Sequence, residues 1–169
     1  MKKQITLVIA LSMVAVSCAQ WGGGVKGNGN FVAIERSLQD YDHVAVAGSF
    51  DVDLVAGHEG QIILEGESNL LEYVLTEVKN GKLLIKTENG VNLRPSSWTN
   101  GIRITVPIES LDKVSLSGSG DIVSRTTIKS NNFSARISGS GEVSLTVEAE
   151  RVDASLSGSG DISLAGRAR

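Results

Sequence analysis

One phrase recurs three times in the last third of the 169-residue chain. Its copies occupy residues 116–122, 137–143 and 156–162, and each reads as an apolar residue, Ser-Gly-Ser-Gly, an acidic residue and an apolar residue. The copies begin 21 and 19 residues apart. A period of about 20 residues, with a short strand on each side of a glycine corner, is typical of stacked β-coils. The repeat therefore predicts an all-β solenoid with coils of about 20 residues.

Aligning the copies on their glycines places their aliphatic residues in columns. These columns are Val114, Ala135 and Ala154, then Leu116, Ile137 and Leu156, and, after the glycines, Ile122, Val143 and Ile162. A polar column lies between the first two and consists of Ser115, Arg136 and Ser155. Alternation with a period of two predicts that the aliphatic columns fill an interior and that the polar column faces water. A degenerate copy at residues 46–54 indicates that the solenoid begins at residue 44.

Alternation upstream of the repeats predicts six further strands. They cover residues 44–47, 50–56, 61–66, 74–79, 82–87 and 102–106. Asn80 and Gly81 predict a two-residue hairpin or a corner, since both tolerate a positive φ, and residues 68–72 predict one helical turn. Residues 89–101 contain Pro95 and lack alternation, so we expect a protruding loop there.

The N-terminus predicts export. Lys2 and Lys3 precede an apolar run that is too short to span a bilayer, so residues 1–17 are interpreted as a signal peptide. The small residues before Cys18 resemble the lipobox of bacterial lipoproteins, and this resemblance implies that Cys18 becomes the lipid-bearing N-terminus. The uncharged Ala19 after it favours the outer membrane. Ordinary cleavage after Ala19, which would leave no anchor, is the alternative.

Residues 18–42 are predicted to be the lipidated cysteine and a flexible tether, because residues 21–30 are Gly-rich and polar. Residues 43–169 form the predicted folded domain, and the lack of a closing element after the third copy predicts truncation at its C-terminal end. Loss of Lys2 and Lys3 with the signal takes the net charge from −3 to about −5. This acidic balance argues against nucleic acid as a partner.

Several motifs occur in a characteristic order. A lipobox, the run Asn-Gly-Lys-Leu-Leu-Ile at residues 80–85, the run Ile-Thr-Val-Pro at residues 104–107 and the reiterated glycine phrase follow one another. Together they resemble the putative auto-transporter adhesin, head GIN domain family, over residues 43–169. The resemblance implies a single-stranded right-handed β-helix (solenoid) at the cell envelope, with a role in adhesion.

Acidic residues form a further column of the repeats. In stacked coils, the carboxylates of Asp121, Glu142 and Asp161 would lie about 4.8 Å apart. Like charges this close repel unless solvent or a cation intervenes. Calcium prefers about six to eight oxygen ligands, and one carboxylate per coil supplies few of them. We therefore predict a solvated acidic edge and no metal site, with these three residues as weak candidates for one.

No catalytic residue and no cofactor is predicted. His43 and His58 are the only histidines, and both lie beside acidic residues outside any nucleophile motif. Some right-handed β-helices are polysaccharide lyases, but Arg125, Arg136 and Arg151 fall in different columns and do not converge. A polysaccharide-degrading, lyase-like enzyme is therefore an alternative that rests on fold analogy alone.

Trp98 is the large aromatic residue of the predicted 89–101 loop, and Arg94 and Asn100 flank it. An exposed Trp with polar neighbours suits contact with a sugar or a peptide, although Trp98 could instead fold back over the open end of the solenoid. We predict a lipid-anchored, adhesin-like β-helical protein of the cell envelope that binds a glycan or protein partner without catalysis. A structural envelope module is a further alternative.

Overall fold

The computed structural model describes residues 24–97 and 101–168. These residues form thirteen β-strands and one short helix. The elements in chain order are β1 Val25–Lys26, β2 Phe31–Ser37, β3 His43–Gly48, β4 Phe50–Ala56, β5 Gln61–Glu67, α1 Ser68–Leu71, β6 Val74–Lys79, β7 Lys82–Thr87, β8 Leu93–Arg94, β9 Ile102–Ile108, β10 Lys113–Gly118, β11 Asp121–Gly139, β12 Glu142–Gly158 and β13 Asp161–Ala168. The strands predicted upstream of the repeats are all present, with ends that differ by two residues at most.

Eleven of the strands form one mixed sheet. Its strand order is β2-β5-β9-β4-β11-β10-β3-β7-β6, and β12 pairs with both β11 and β13. Strands β1 and β8 form a separate parallel pair. The large sheet curls into an open half-barrel, and one continuous hydrophobic core packs inside it.

Glycine corners divide the curled sheet into two walls. The pre-corner wall consists of residues 43–48, 74–79, 82–87, 113–118, 134–139 and 153–158, and the post-corner wall of residues 50–56, 102–108, 121–124, 142–149 and 161–168. At the corners, Gly48 and Gly118 have φ angles of 147° and 134°. A Cβ on Gly118 would lie 2.2 Å from the carbonyl oxygen of Gly48. The stacked corners therefore require residues without a side chain.

The predicted single-stranded right-handed β-helix is wrong. Such a solenoid needs parallel neighbours along its whole stack, whereas β2 pairs antiparallel with β5, β5 with β9, and β6 with β7. Asn80 and Gly81 have φ angles of 52° and 75°. These angles make the connection a two-residue hairpin and not a corner. Antiparallel pairs in the first half thus turn the predicted coil into a mixed, open sheet.

The predicted alignment of the three copies is confirmed. Strands β10, β11 and β12 pair in parallel, with glycine opposite glycine and each aliphatic residue opposite its counterpart. Leu116 and Ile137 are buried, with 1% and 3% of their surfaces exposed, but Leu156 is 47% exposed. Among the described residues, β12 has a neighbour on one side only over residues 150–158. The third copy therefore keeps its register but not its burial.

The sheet begins at β2, earlier than the predicted domain boundary at residue 43. All seven residues of β2 pair with β5, within the segment that the sequence predicts to be a tether. The guanidinium group of Arg36 in β2 donates hydrogen bonds to the carbonyl oxygens of Leu71 and Val74. These bonds join β2 to the end of α1 and the start of β6. Residues 18–23 of the predicted tether lie outside the described residues.

Candidate ligand-binding surface

The residues predicted to bind a ligand belong to a loop that is only partly described. Arg94 lies in β8 and is exposed, and its carbonyl oxygen accepts a hydrogen bond of 2.9 Å from the N–H of Gly27. The predicted loop thus contains a two-residue strand. Trp98 and Asn100 lie outside the described residues, as does Cys18. A role for Arg94, Trp98 and Asn100 in binding stays a prediction.

A buried carboxylate holds the described part of this loop. Glu67 is 1% exposed and accepts hydrogen bonds from the N–H groups of Gly29, at 2.5 Å, and Ser96, at 2.9 Å. Burial alone would raise the pKa of the Glu67 carboxyl, but the hydrogen bonds from Ser96 and Gly29 outweigh burial and hold the pKa below its ordinary value. We call these three residues the Glu67 clamp. The sequence carries no signal for it, because the donors are backbone groups.

Four carboxylates follow one another across the outer face of the post-corner wall. Asp121 pairs in register with Glu142 and Glu142 with Asp161, as predicted, and Asp51 of the degenerate copy precedes them. We call these four residues the acidic column. Burial, followed by the negative charge of Asp121, raises the pKa of Asp51. Within the described residues, no group of three or more His, Cys, Asp or Glu side chains could hold a metal ion.

Basic side chains follow one another across the outer face of the pre-corner wall. Lys79 pairs in register with Lys82, Lys82 with His43, and His43 with Lys113. We call these four residues the basic row. Sequence reasoning missed it, because β3 and β10 follow the β6–β7 hairpin in the order of the sheet but are far from it in the chain.

A shallow groove of about 370 Å³ lies on the same wall. Half of its lining residues are alanine or serine, namely Ala45, Ala47, Ser115, Ser117, Ser138 and Ser155. Lys82 and Arg136 add positive charge, and the other four lining residues are apolar: Val46, Leu84, Leu116 and Ile137. Of these four, only Leu84 is not buried. Next to the groove, Nε2 of His43 and Oγ of Ser115 lie 2.8 Å apart and share a hydrogen bond. The groove therefore offers hydroxyl groups, one apolar contact and two cations to a ligand.

The contact between His43 and Ser115 is a poor nucleophile–base pair. Burial, followed by the charges of Lys113 and Lys82, lowers the pKa of His43 to about 4, so its imidazole is a weak base at neutral pH. The backbone around Ser115 is already paired with β3 and β11, so its N–H groups are not free to form an oxyanion hole. This arrangement suits the binding of polar groups better than their cleavage.

The arginines that a lyase would need are also dispersed in the structure. Arg125 pairs with Asp53 at 2.8 Å, and Arg136 lies 4.0 Å from a carboxylate oxygen of Asp153. Arg151 donates a hydrogen bond to a side-chain amide oxygen on β11. The three guanidinium groups therefore face different partners, in agreement with their different columns in the sequence.

The fold is similar to several solved structures. A putative adhesin from Parabacteroides merdae is 19% identical with a TM-score of 0.73, and the match covers 83% of this chain and 58% of that one. A putative lipid-binding protein from Parabacteroides distasonis is 27% identical with a TM-score of 0.72, covering 84% of this chain and 63% of that one. A putative adhesin from the same species is 21% identical, with a TM-score of 0.62 and coverage of 87% and 70%. The chain thus spans about three fifths of the length of the first two.

Two further comparisons bear on identity. No similar protein was found among the curated proteins. In the part of the chain that the structure describes, no helix has the length and apolar character needed to cross a membrane.

The model of the family described as putative auto-transporter adhesin, head GIN domain, matches residues 40–169, which is most of the chain and confirms the resemblance of its motifs. The chain therefore belongs to the putative auto-transporter adhesin, head GIN domain family.

Proposed function

We propose that this protein binds a glycan, without catalysis, in the groove on the outer face of the pre-corner wall. The observation that carries the proposal is the lining of the groove, where four serine hydroxyl groups lie beside the apolar side chain of Leu84 and the cation of Arg136. Sugars present hydroxyl groups at their edges and C–H groups on their faces. A surface of hydroxyl donors and acceptors around one apolar contact matches that chemistry.

The shape of the groove favours a glycan over a folded protein partner. Stable protein–protein interfaces usually bury about 800 Å² on each side and centre on large aromatic or aliphatic anchors. The groove is shallow, and alanine and serine form half of its lining. An elongated chain of sugars can follow such a surface without a deep anchor.

A glycan array tests this proposal directly. We expect the purified protein to bind at least one glycan, and Arg136→Ala to weaken that binding because it removes a cation from the lining. Arg151→Ala is the matched control, since Arg151 is an exposed arginine outside the groove lining. Equal loss in both variants, or binding of a protein and of no glycan, would contradict the proposal.

The non-catalytic part of the proposal has a separate test. Incubation with uronic-acid polysaccharides should leave them intact, because the imidazole of His43 is a weak base at neutral pH and the three arginines do not converge. Ultraviolet absorbance of the solution reports the unsaturated product that a lyase would release. A steady rise in absorbance that requires the protein would instead establish the lyase-like enzyme.

The proposed location is the outer membrane, with a lipid on Cys18. It is supported by the residues before Cys18, by the uncharged Ala19 after it and by membership of an envelope family. Cys18→Ala should move the protein from the membrane fraction to the soluble fraction and abolish its labelling with radioactive palmitate. Ser17→Ala, which keeps a small residue before the cysteine, is the control. A Cys18→Ala variant that stays in the membrane fraction would show that the anchor lies elsewhere.

A further inference from the structure

We infer that the glycan bound in the groove is a polyanion, and that the basic row of Lys79, Lys82, His43 and Lys113 recognises its carboxylate or sulfate groups. This inference rests on the proposed function, since it names the ligand class of the same surface. It adds Lys79 and Lys113, from β6 and β10, to a site whose lining includes Lys82.

The register of the strands places the basic row in a line across the wall. Each member lies directly opposite the next in the hydrogen-bonded ladder. Neighbouring strands lie about 4.8 Å apart, so the row spans about 14 Å from Lys79 to Lys113. Charges repeated along a line of this length suit a polymer that carries a negative charge on successive units. A compact anion would reach one or two of them.

The arrangement of the lysines is unfavourable in the absence of an anion. Like charges that lie directly opposite one another destabilise a pair of strands, and Lys79 faces Lys82 across the hairpin. Among the described residues, none of the three lysines forms an ion pair. Carboxylates flank the row without pairing with its lysines: Asp42 and Asp112 precede His43 and Lys113 in the chain. Asp153 lies two strands beyond Lys113 in the register, beside Arg136.

His43 supports the row without adding a charge to it. It lies between Lys82 and Lys113 in the sheet, and these two cations together with burial favour its neutral form. A charged imidazole between two lysines would add repulsion on both sides. The neutral ring instead makes a hydrogen bond to Ser115 at the edge of the groove. The row thus keeps three cations spaced by one uncharged, polar member.

An anionic membrane is a poorer match to this surface than a polysaccharide. Proteins that lie on a bilayer combine basic residues with large apolar side chains that enter it. The large apolar side chains exposed in the described residues are Phe31, Ile63, Val152 and Leu156. None of them lines the groove or belongs to the basic row. Leu156 lies on the same wall but outside the groove. The groove and the basic row therefore offer cations, hydroxyl groups and the side chain of Leu84, but no large exposed apolar side chain for insertion.

Binding of defined polymers tests the inference. The probes are polygalacturonate, which carries carboxylates, dextran sulfate, which carries sulfates, and neutral dextran, and vesicles of phosphatidylglycerol and phosphatidylcholine supply the membrane comparison. We expect the protein to bind one or both charged polymers, more weakly at high salt, and to bind neutral dextran and the vesicles at least tenfold more weakly.

Substitutions distinguish the basic row from the net charge. Lys82→Gln should weaken binding of the charged polymer about two- to fivefold, and Lys82→Gln combined with Lys113→Gln about tenfold or more. Lys26→Gln makes the same change in net charge at an exposed lysine of β1, away from the row, and should leave the affinity unchanged. Circular dichroism confirms that each variant is folded.

Each outcome decides between the two proposals. Equal weakening by Lys82→Gln and Lys26→Gln would overturn the basic row while the glycan site stands. Binding of a neutral glycan, unaffected by the lysine substitutions but weakened by Arg136→Ala, would overturn the polyanion and keep the proposed function. Preferential binding to the vesicles would overturn the polyanionic glycan in favour of a lipid headgroup. Binding of no glycan at all would overturn both.

Discussion

The two walls of the half-barrel share one core but carry opposite charge on their outer faces. The pre-corner wall presents the basic row, and the post-corner wall presents the acidic column. The acidic column repeats because it belongs to the glycine phrase, whereas the basic row joins strands with unrelated sequences. Stacking thus explains the acidic column as a by-product of repetition. It does not explain the basic row, which is the better candidate for a functional surface.

The walls also respond to pH in opposite directions. The pKa of His43 is lowered in the folded protein, so protons bind the unfolded state more strongly and the contribution of His43 to stability is lost as the pH falls from about 6.5 to about 4. The pKa of Asp51 is raised, so falling pH favours the folded state at that position. A fall in pH therefore lowers the contribution of His43, in the pre-corner wall, to folding stability and raises the contribution of Asp51, in the post-corner wall.

The largest expected effect comes from the interior that both walls share. Ile137→Asp places a carboxylate where only 3% of the side chain is exposed, and it should cost about 4 kcal/mol or more of unfolding free energy. Ser155→Asp, on the exposed polar column, should change stability by about 0.5 kcal/mol or less. Urea denaturation measures both variants. Similar losses would mean that the inner and outer faces are assigned wrongly.

The next effect comes from the corner that connects the walls. Gly139 has a φ of 141°, and a Cβ there would lie 2.2 Å from the carbonyl oxygen of Gly118. Gly139→Ala should therefore lower the free energy of unfolding by about 2 to 4 kcal/mol, because backbone atoms must move apart. At Gly101 a Cβ meets no atom within 4 Å, so Gly101→Ala is the control and should be nearly neutral. A stable Gly139→Ala variant would show that the stacked corners are looser than described.

The pH dependence of folding stability should differ between the two walls. His43→Gln should remove about 1 kcal/mol or less of the stability loss between pH 6.5 and pH 4, since solvent screens this half-buried group. Asp51→Asn should raise stability at pH 7, because it removes a negative charge that lies opposite Asp121 in the sheet. Denaturation curves at several pH values measure both effects. Parallel pH profiles for His43→Gln and the parent protein would remove the proposed difference between the walls.

The smallest effect concerns the acidic column. Glu142→Gln removes a charge between Asp121 and Asp161 and should raise stability by the ~0.2 to 1 kcal/mol typical of cross-strand pairs. A melting curve in the presence of EDTA should match the curve without it. A lower melting temperature in the variant, or on addition of EDTA, would show that the carboxylates hold calcium and that repulsion does not dominate this column.

Much of the repeat region could be predicted from the sequence, because identical glycine phrases can stack in only one register without a clash. That constraint predicts that Leu116 lies opposite Ile137 and Asp121 opposite Glu142, as they do in the structure. It also explains why the polar column, with Arg136 in its centre, lies on the outer face. Burial did not follow register in the third copy, where Leu156 is exposed.

Strand directions in the first half of the chain are harder to predict, because apolar and polar residues alternate in the same way in parallel and antiparallel strands. The pattern located β5, β6 and β7 but not their directions, and β2 was missed beside a Gly-rich segment. The residues Asn80 and Gly81 predict either a hairpin or a corner. The structure forms the hairpin, which makes β6 and β7 antiparallel and the sheet mixed. The basic row was equally hidden, since it exists only once β3, β7 and β10 are placed side by side.

The proposed lipid on Cys18 would give the Glu67 clamp a mechanical role. Tension between that lipid and a ligand held on the wall would enter the described structure at Gly24 and load the short β1–β8 pair first. It would then reach the clamp, before the seven-residue ladder of β2 and β5. A buried carboxylate that holds two backbone N–H groups resists slow rupture better than a solvated contact, because breaking it leaves charge without a partner in the interior. The clamp would thus stand between the β1–β8 pair and the edge of the large sheet, and would keep the load from separating β2 from β5.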